Sequence, residues 1–257
     1  MTRQRVKDLA QLSRRRARRE QGVFLVEGVR SVESAVAAGA PLEAVLIGHE
    51  AHDRTEALAE AAGQRGVPVE RVAAKDLARI ADAQTSQGVV AVSRRIVRED
   101  LGGLAGAPRL LVLDGVQDPG NVGALVRTAA WFGVDAVVSD ERTADFETPK
   151  AVRAAMGGLW DVPLVRLFRL GDGLSRLTEA GTLAWGADMT GTPLTDWRPD
   201  SPSVLVVGSE AHGLSEDVRA CLAGTVAIPG GGRGVKSLNV GVAAGILMNA
   251  WTARVAS

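Results

Sequence analysis

The 257-residue chain contains one cysteine, no tyrosine, three histidines and no surplus of either charge, with 30 Lys/Arg against 30 Asp/Glu. Each shortage removes a class of chemistry. A single thiol, Cys221, cannot close an internal disulfide, and beside only His49, His52 and His212 it forms no cluster with zinc-site spacing. No metal is therefore expected, and Cys221 reads as buried filler. A neutral total excludes a polycation that coats nucleic acid indiscriminately. The longest apolar run free of charge, 237–253, is 17 residues long and holds two Asn, a Ser and a Thr, which is short and polar for a membrane span. No apolar segment of secretory-signal length follows the N-terminal arginines, so the expected location is the cytoplasm, with no membrane partner. A hydrophobic share of 46% excludes disorder as the main state, and the length suits about two domains.

The charge that is present is unevenly placed. Residues 1–20 carry Arg3, Arg5, Lys7, Arg14, Arg15, Arg16, Arg18 and Arg19 against Asp8 and Glu20, a net +6 that leaves −6 for the remainder. Beyond Gly22, strand-like runs at 24–28, 43–48 and 89–93 alternate with Ala-rich helical runs at 53–63 and 74–83. This is the pattern of a small α/β domain within 1–97. Residues 98–107 bring three glycines and no apolar period, as a linker does. From 108 to 257 the alternation resumes: strands at 110–114, 136–139, 182–187, 204–208 and 225–228, a helix at 121–132, another after Pro149, a short one at Ser215 and a long final one. Strands separated by helices predict an α/β fold with a mostly parallel sheet covered on both faces.

In such sheets ligands gather at the carboxyl ends of strands, so the strand-to-helix loops carry the search for chemistry. Three are unusual. In DGVQDPGNVGALVRTAAWFG (114–133), Asn121 stands at an expected helix N-cap after a Pro/Gly turn. Arg127 follows Gly123 by four residues and leans back over it toward the loop, because helical side chains tilt toward the N-terminus. In VLVVGSEAHGLSEDV (204–218), Glu210 sits just past a buried strand between Gly208 and Gly213, with Ser215 as the expected cap of the next helix. In VAIPGGGRGVKSLNVGVAAGILMNAW (226–251), four glycines precede Lys236, Ser237, Leu238 and Asn239 and leave backbone groups free near a helix start. Val235 separates Gly234 from Lys236-Ser237, which rejects a phosphate-binding P-loop. Neither a dinucleotide GxGxxG unit nor a GxSxG elbow is present. Gly241 and Gly245 share one stripe of a final helix that is apolar nearly all round, a helix expected to pack on several sides, a second subunit among them.

Taken in order, DPGNVGALVRTAAWFG, LVVGSEAHGLS and IPGGGRGVKSLNVGVAAGIL resemble the motifs of the SPOUT superfamily, and within it the SpoU/TrmH-type RNA 2′-O-ribose methyltransferases. The segments FLVEGVRSVESAVAAG (24–39) and TSQGVVAV (85–92) resemble the small substrate-binding domain that precedes the catalytic one in many members and is similar to certain ribosomal proteins. The resemblance implies an α/β catalytic domain whose parallel sheet is threaded into a deep trefoil knot. It implies S-adenosylmethionine as cofactor, a homodimer, and RNA, ribosomal RNA foremost, as the partner. DNA, which lacks the 2′-hydroxyl, is excluded as substrate.

Residue by residue, the resemblance makes Arg127, Asn121, Glu210, Ser237 and Asn239 catalytic. It places Gly208, Ser209, Glu210, Ile228, Leu238 and Asn239 at the cofactor. Gly241 stands where Ser or Ala is commoner, Gly230 where Met is common, and AAMGG at 154–158 replaces a Ser-containing run. Because guanidinium stays protonated, Arg127 is expected to grip a phosphate and stabilise charge growing on the 2′-oxygen, while Asn121, Ser237 and Asn239 orient the substrate. The basic N-terminus is expected to hold RNA phosphates in a salt-dependent manner. Transfer RNA as substrate, and a knotted RNA-binding protein without catalysis, stay open as alternatives.

Overall fold

The computed structural model describes residues 1–81, 87–104, 106–231, 234 and 237–253. The last residues of the helix expected at 74–83, positions 85–86 of the TSQGVVAV segment, and Val235 and Lys236 lie outside them. In chain order the elements are α1 (Arg3–Ala10), α2 (Arg15–Gln21), β1 (Val23–Glu27), α3 (Val29–Ala37), β2 (Leu42–Gly48), α4 (Asp53–Gln64), β3 (Val69–Val72), α5 (Ala74–Ile80) and β4 (Val89–Arg94). There follow β5 (Arg109–Asp114), α6 (Pro119–Trp131), β6 (Ala136–Ser139), α7 (Pro149–Ala155), β7 (Leu164–Arg166), α8 (Leu170–Glu179), β8 (Leu183–Pro193), β9 (Ser203–Gly208), α9 (Glu216–Arg219), β10 (Gly224–Ala227) and α10 (Val240–Ala253). They form two compact units, Met1–Ile96 with Asp145–Asp161, and Val97–Ala144 with Val162–Ser257. No linear reading of the chain displays the grouping of 145–161 with the first unit.

The first unit is built on a four-stranded sheet in the order β1-β4-β2-β3. β4 runs antiparallel to both β1 and β2, so β1 and β2 end, and β4 begins, at the same edge. Leu25, Leu46 and Val90 from the strands meet Leu77 and Ile80 of α5 in one core, and Val6, Leu9, Leu12 and Ala17 from the basic N-terminal stretch are part of it. That stretch is therefore two docked helices. One of its cations, Arg18, is withdrawn altogether and so departs from the expectation of an RNA contact, while Arg3, Lys7, Arg14, Arg16 and Arg19 are exposed. Arg18 is 1% exposed, donates to the carbonyls of Leu12 (2.8 Å) and Ser13 (2.9 Å), and pairs with Asp145 at 2.7 Å. Around α7, Glu147 binds Arg95 (2.7 Å), Arg153 binds buried Glu27 (2.7 Å), and Trp160 stacks on Phe24.

The second unit carries six parallel strands in the order β10-β8-β9-β5-β6-β7. Near-continuous apolar strands such as LLVLD and SVLVV are buried along their length, as strands covered on both faces must be. Leu110, Val112, Val138, Val206, Leu174 and Val218 form one core beneath the sheet. From β5 the sheet grows one way through β6 and β7 and the other way through β9, so the order reverses between β5 and β9. At such a reversal the loops after the two strands diverge and leave a crevice. Cys221 is half-buried and within 3.3 Å of the Ser175 hydroxyl, less enclosed than the composition suggested.

Candidate active site at the strand ends

The chain leaves β5 at Asp114, a carboxylate only 1% exposed. One oxygen accepts from the Ser215 N–H (2.6 Å) and hydroxyl (2.9 Å), and the other from Arg142 Nη2 (2.6 Å). Arg142 also binds Asp140 at the end of β6 (2.6 Å). Asp140 further accepts from the Gly115 N–H (3.1 Å) and the Thr143 hydroxyl (2.6 Å). Burial on its own raises the Asp140 carboxyl, but the hydrogen bonds from Thr143, Arg142 and Gly115 outweigh it and hold the group below the usual carboxylate range. Arg166 closes the loop after β6 by donating to the carbonyls of Asp140, Thr143 and Ala144. This frame locks the ends of β5 and β6 and the loop after β9 together.

Above it, α6 opens differently from the sequence expectation. The N-cap is Asp118, whose side chain accepts from the Asn121 N–H (3.0 Å), with Pro119 in the first turn. Asn121 stands in that turn, and since Asp118 does the capping, its amide is free for longer-range bonds. Asn121 Nδ2 donates to Glu210 Oε1 (2.5 Å), and its Oδ1 accepts from Asn239 Nδ2 (3.1 Å). Asn239 Oδ1 in turn accepts from the N–H groups of Gly241 (3.0 Å) and Val242 (3.3 Å), which caps α10. A single line of hydrogen bonds thus runs from the start of α10 through Asn239 and Asn121 to Glu210. Both amide orientations are fixed by it, and every donor points toward the carboxylate. Among the described residues the second Glu210 oxygen accepts nothing and remains available.

Glycine makes two of these approaches feasible. A Cβ on Gly208 would stand 2.4 Å from the Gly213 carbonyl, in the tight turn where Ser209 and Gly213 exchange two backbone bonds and present Glu210 at the tip. A Cβ on Gly241 would come within 3.2 Å of Asn239 Oδ1, so glycine leaves that approach unstrained. Gly241 and Gly245 face Ala124 and Thr128 of α6 at 3.9 Å, so the small-residue stripe packs inside the unit. β10 is a sheet-edge strand, yet α10, which follows it, packs on α6 and touches β9.

The remaining expected residues stand as follows. Arg127 is exposed on α6, one to two turns beyond Asn121, and has no hydrogen bond or ion pair among the described residues. Ser237 is exposed two residues before Asn239, and it is not joined to the Glu210–Asn121–Asn239 line. Ile228 is half-buried just after β10, and Leu238, 46% exposed, offers an unpaired apolar surface beside Asn239. His212 is exposed at the turn, and no group of three metal-ligating side chains occurs among the described residues. The frame of Asp114, Asp140, Arg142 and Thr143 escaped sequence reading. A carboxylate closing each of two apolar strands was the available signal, but nothing in DERT (140–143) announced a bridge between them.

Parallel strands, a chain reversal with polar loops at its carboxyl edge, and uncharged amides steering toward one carboxylate define an α/β enzyme of the ligand-at-the-crevice type. Comparison with known proteins makes this specific. The SpoU rRNA Methylase family matches residues 108–249, and the MRM3-like substrate binding domain matches residues 3–91. A Mycobacterium sp. (strain KMS) protein described as a tRNA/rRNA methyltransferase is 35% identical over 93% of this chain and 79% of its own. RlmP of Bacillus subtilis (strain 168), a 23S rRNA (guanosine(2553)-2′-O)-methyltransferase, is 29% identical over 95% of this chain and 94% of its own. Among solved structures, the SpoU methyltransferase AviRb of Streptomyces viridochromogenes, in complex with AdoMet, superposes with a TM-score of 0.86 at 27% identity, covering 100% of this chain and 99% of that one. An AdoMet-bound rRNA methyltransferase from Sinorhizobium meliloti gives 0.83 at 27% identity over 97% and 94%. The chain belongs to the SpoU rRNA methylase family, and it is a tRNA/rRNA methyltransferase of that family.

Proposed function

We propose that this enzyme transfers a methyl group from S-adenosylmethionine to a ribose 2′-hydroxyl of ribosomal RNA. The hydrogen-bonded line Glu210–Asn121–Asn239, which joins three separated loops at the strand ends, is the observation that carries the proposal. The residues present suit the cofactor. Gly230 and Gly231 leave open space where side chains would stand, Ile228 offers backbone groups just after a strand, and Leu238 supplies an unpaired apolar face for an aromatic base. Gly208, Ser209, Ile228, Leu238 and Asn239 would hold it, and it supplies an electrophilic methyl on a sulfonium.

The protein's own work is positioning and charge. Asn121 and Asn239, held in one orientation each, direct their donors toward Glu210 and keep its free oxygen pointed outward as an acceptor. Arg127, protonated and unpaired among the described residues, grips the neighbouring phosphate and stabilises negative charge growing on the 2′-oxygen. Ser237 adds a hydroxyl at the rim. Because the acceptor is the 2′-hydroxyl, DNA is not a substrate. The relative acting on 23S rRNA supports ribosomal over transfer RNA, and with it the cytoplasm as the place of action. The return of the chain from the edge strand β10 to α6 fits the threading of a trefoil knot. Exposed Trp131, Val242 and Ile246 on α6 and α10 fit a homodimer that covers these helices.

The test is incubation with methyl-labelled S-adenosylmethionine and separated total RNA, followed by mapping of the modified nucleotide. Label at a ribose 2′-oxygen of ribosomal RNA is the expected result. Label on a base overturns the 2′-O reading, label confined to transfer RNA overturns the substrate, and no transfer together with no cofactor heat in calorimetry overturns the enzyme.

A further inference from the structure

The first unit contains a cavity of about 830 Å³ at the edge where β1 and β2 end and β4 begins. Two helices open into it. α3 starts after Gly28, a turn residue at φ +89°, and α4 starts after His52, and neither start is capped by a side chain from the preceding residue. Among the described residues, only the Val29 N–H in the first turn of α3 is met by a side chain, Gln87 Oε1 at 2.9 Å. With 9 and 12 residues, both helices present N–H groups of their first turn and the positive end of their dipole, although in α4 the Thr55 N–H already donates to the His52 carbonyl at 2.8 Å.

A second observation is independent of the helix ends. The third residue of each helix is a hydroxyl that lines the cavity, Ser31 in α3 and Thr55 in α4. They are only 6% and 2% exposed, and neither hydroxyl has a hydrogen-bond partner among the described residues. Their oxygens are not sealed in the core as the Ser139 hydroxyl is but reach the cavity, so two hydroxyls beside two uncapped helix starts offer donors to an acceptor there. The charges around them select its sign. Arg30, Arg54 and Arg153 line the cavity, and Arg30 makes no hydrogen bond among the described residues. Buried Glu27 is bound by Arg153 at 2.7 Å, which leaves Glu50 as the other acid of the lining. Arg54 is likewise held by Glu33 in two hydrogen bonds (2.7 and 2.6 Å), so a cation would meet two helix N-termini and the Arg30 guanidinium, whereas an anion with several oxygens would meet the N–H groups and hydroxyls that open the two helices.

We propose that this cavity is a phosphate-binding pocket, in which Ser31, Thr55 and the N–H groups opening α3 and α4 donate to a phosphodiester of the RNA substrate while Arg30 supplies charge. The RNA as source rests on the function proposed above, and the phosphate chemistry does not.

The test is titration of the full-length, ¹⁵N-labelled protein with inorganic phosphate and with a ten-nucleotide single-stranded RNA. Both probes are expected to shift the amides of Arg30, Ser31, Arg54 and Thr55 and to compete with each other. Thr55→Val and Ser31→Ala should each weaken phosphate roughly tenfold, the loss of a hydrogen bond to a charged group, while Thr55→Ser keeps the native affinity. Shifts with phosphate that the RNA neither reproduces nor displaces overturn the RNA source and leave a pocket for free phosphate. No shift of these amides with either probe, which needs no variant to fold, overturns the pocket, as does full affinity in both hydroxyl-deleted variants. Methyl transfer is not read in the titration, so its absence in the labelling experiment and the failure of this pocket are separate results.

Discussion

The two units treat the polar groups at their strand ends in opposite ways. In the second, the carboxylates and amides at the carboxyl edge are tied to one another: Asp114 and Asp140 share Arg142, and Asn239, Asn121 and Glu210 bond in line, with one Glu210 oxygen and Arg127 left over among the described residues. In the first, two helices begin uncapped over a cavity, and Ser31 and Thr55, nearly buried, line it with hydroxyls that have no partner among the described residues. Bond formation at a defined atom needs donors held still before the substrate arrives, since reorganising them costs rate. Holding a phosphate needs donors that are still unspent. On the roles proposed above, the contrast separates an edge suited to chemistry from one suited to grip.

The comparison can be broken most forcefully at a buried charge. Asp145→Ala leaves Arg18 unpaired at 1% exposure, and it should cost the first unit about 3–5 kcal/mol in urea unfolding. A cost below 1 kcal/mol would show that the first unit's order does not depend on residues 145–161. Next comes Arg127→Ala, expected to lower kcat by roughly 10²–10³-fold while calorimetric cofactor affinity stays near native. Equal activity would remove the charge-stabilising role. Asn239 separates capping from catalysis: Asn239→Ala should lose about 0.5–2 kcal/mol of stability, whereas Asn239→Asp keeps the acceptor that caps α10 and loses the donor to Asn121. Thermal melts should then group Asp with wild type and activity assays group it with Ala; an active Asn239→Asp enzyme would sever the line from the reaction.

A smaller effect is expected from acid. Because folding depresses the Asp140 carboxyl, its contribution is fully present above its unfolded value near pH ~4 and is lost as pH falls through the lower folded value. Asp140→Asn should flatten the acid limb of the stability curve in that window, and an unchanged limb would show that Thr143 and Arg142 do not hold the group ionised. The mildest change concerns the N-terminal helices. Arg3, Lys7 and Arg14 are exposed where Arg18 is not, and replacing each with Gln should reduce the salt slope of RNA binding by about 0.7–0.9 for every phosphate that is no longer neutralised. An unchanged slope for all three would leave this surface without a part in RNA binding.

Periodicity and turn residues made most of the second unit legible. LLVLD, AVVS and SVLVV are apolar runs of strand length bounded by Gly, Pro or Asp, and each forms a strand within a residue or so of its expected limits. β3, VERV, carries two charged residues in four and β7 is three residues long, so neither registers as an apolar run. Asn121 was recognised as important but assigned the wrong local task, because Asp118 and Asn121 are both good caps and local propensity alone does not choose between them. The Arg142 bridge was invisible, since its two carboxylates are 28 and 2 residues away along the chain.

Composition and pattern by themselves determined that this is an α/β protein without metal-ligand spacing, with three polar glycine-bearing loops where parallel strands end. Those properties are local: they follow from side-chain period, backbone freedom and charge within windows of about ten to twenty residues. Tertiary structure alone decided that the loops around Asn121, Glu210 and Asn239 meet, that Arg18 points inward, and that Ser31 and Thr55 face one cavity. Each of these depends on strand order and on which faces pack, because hydrogen bonds and burial act between groups that sequence distance does not relate.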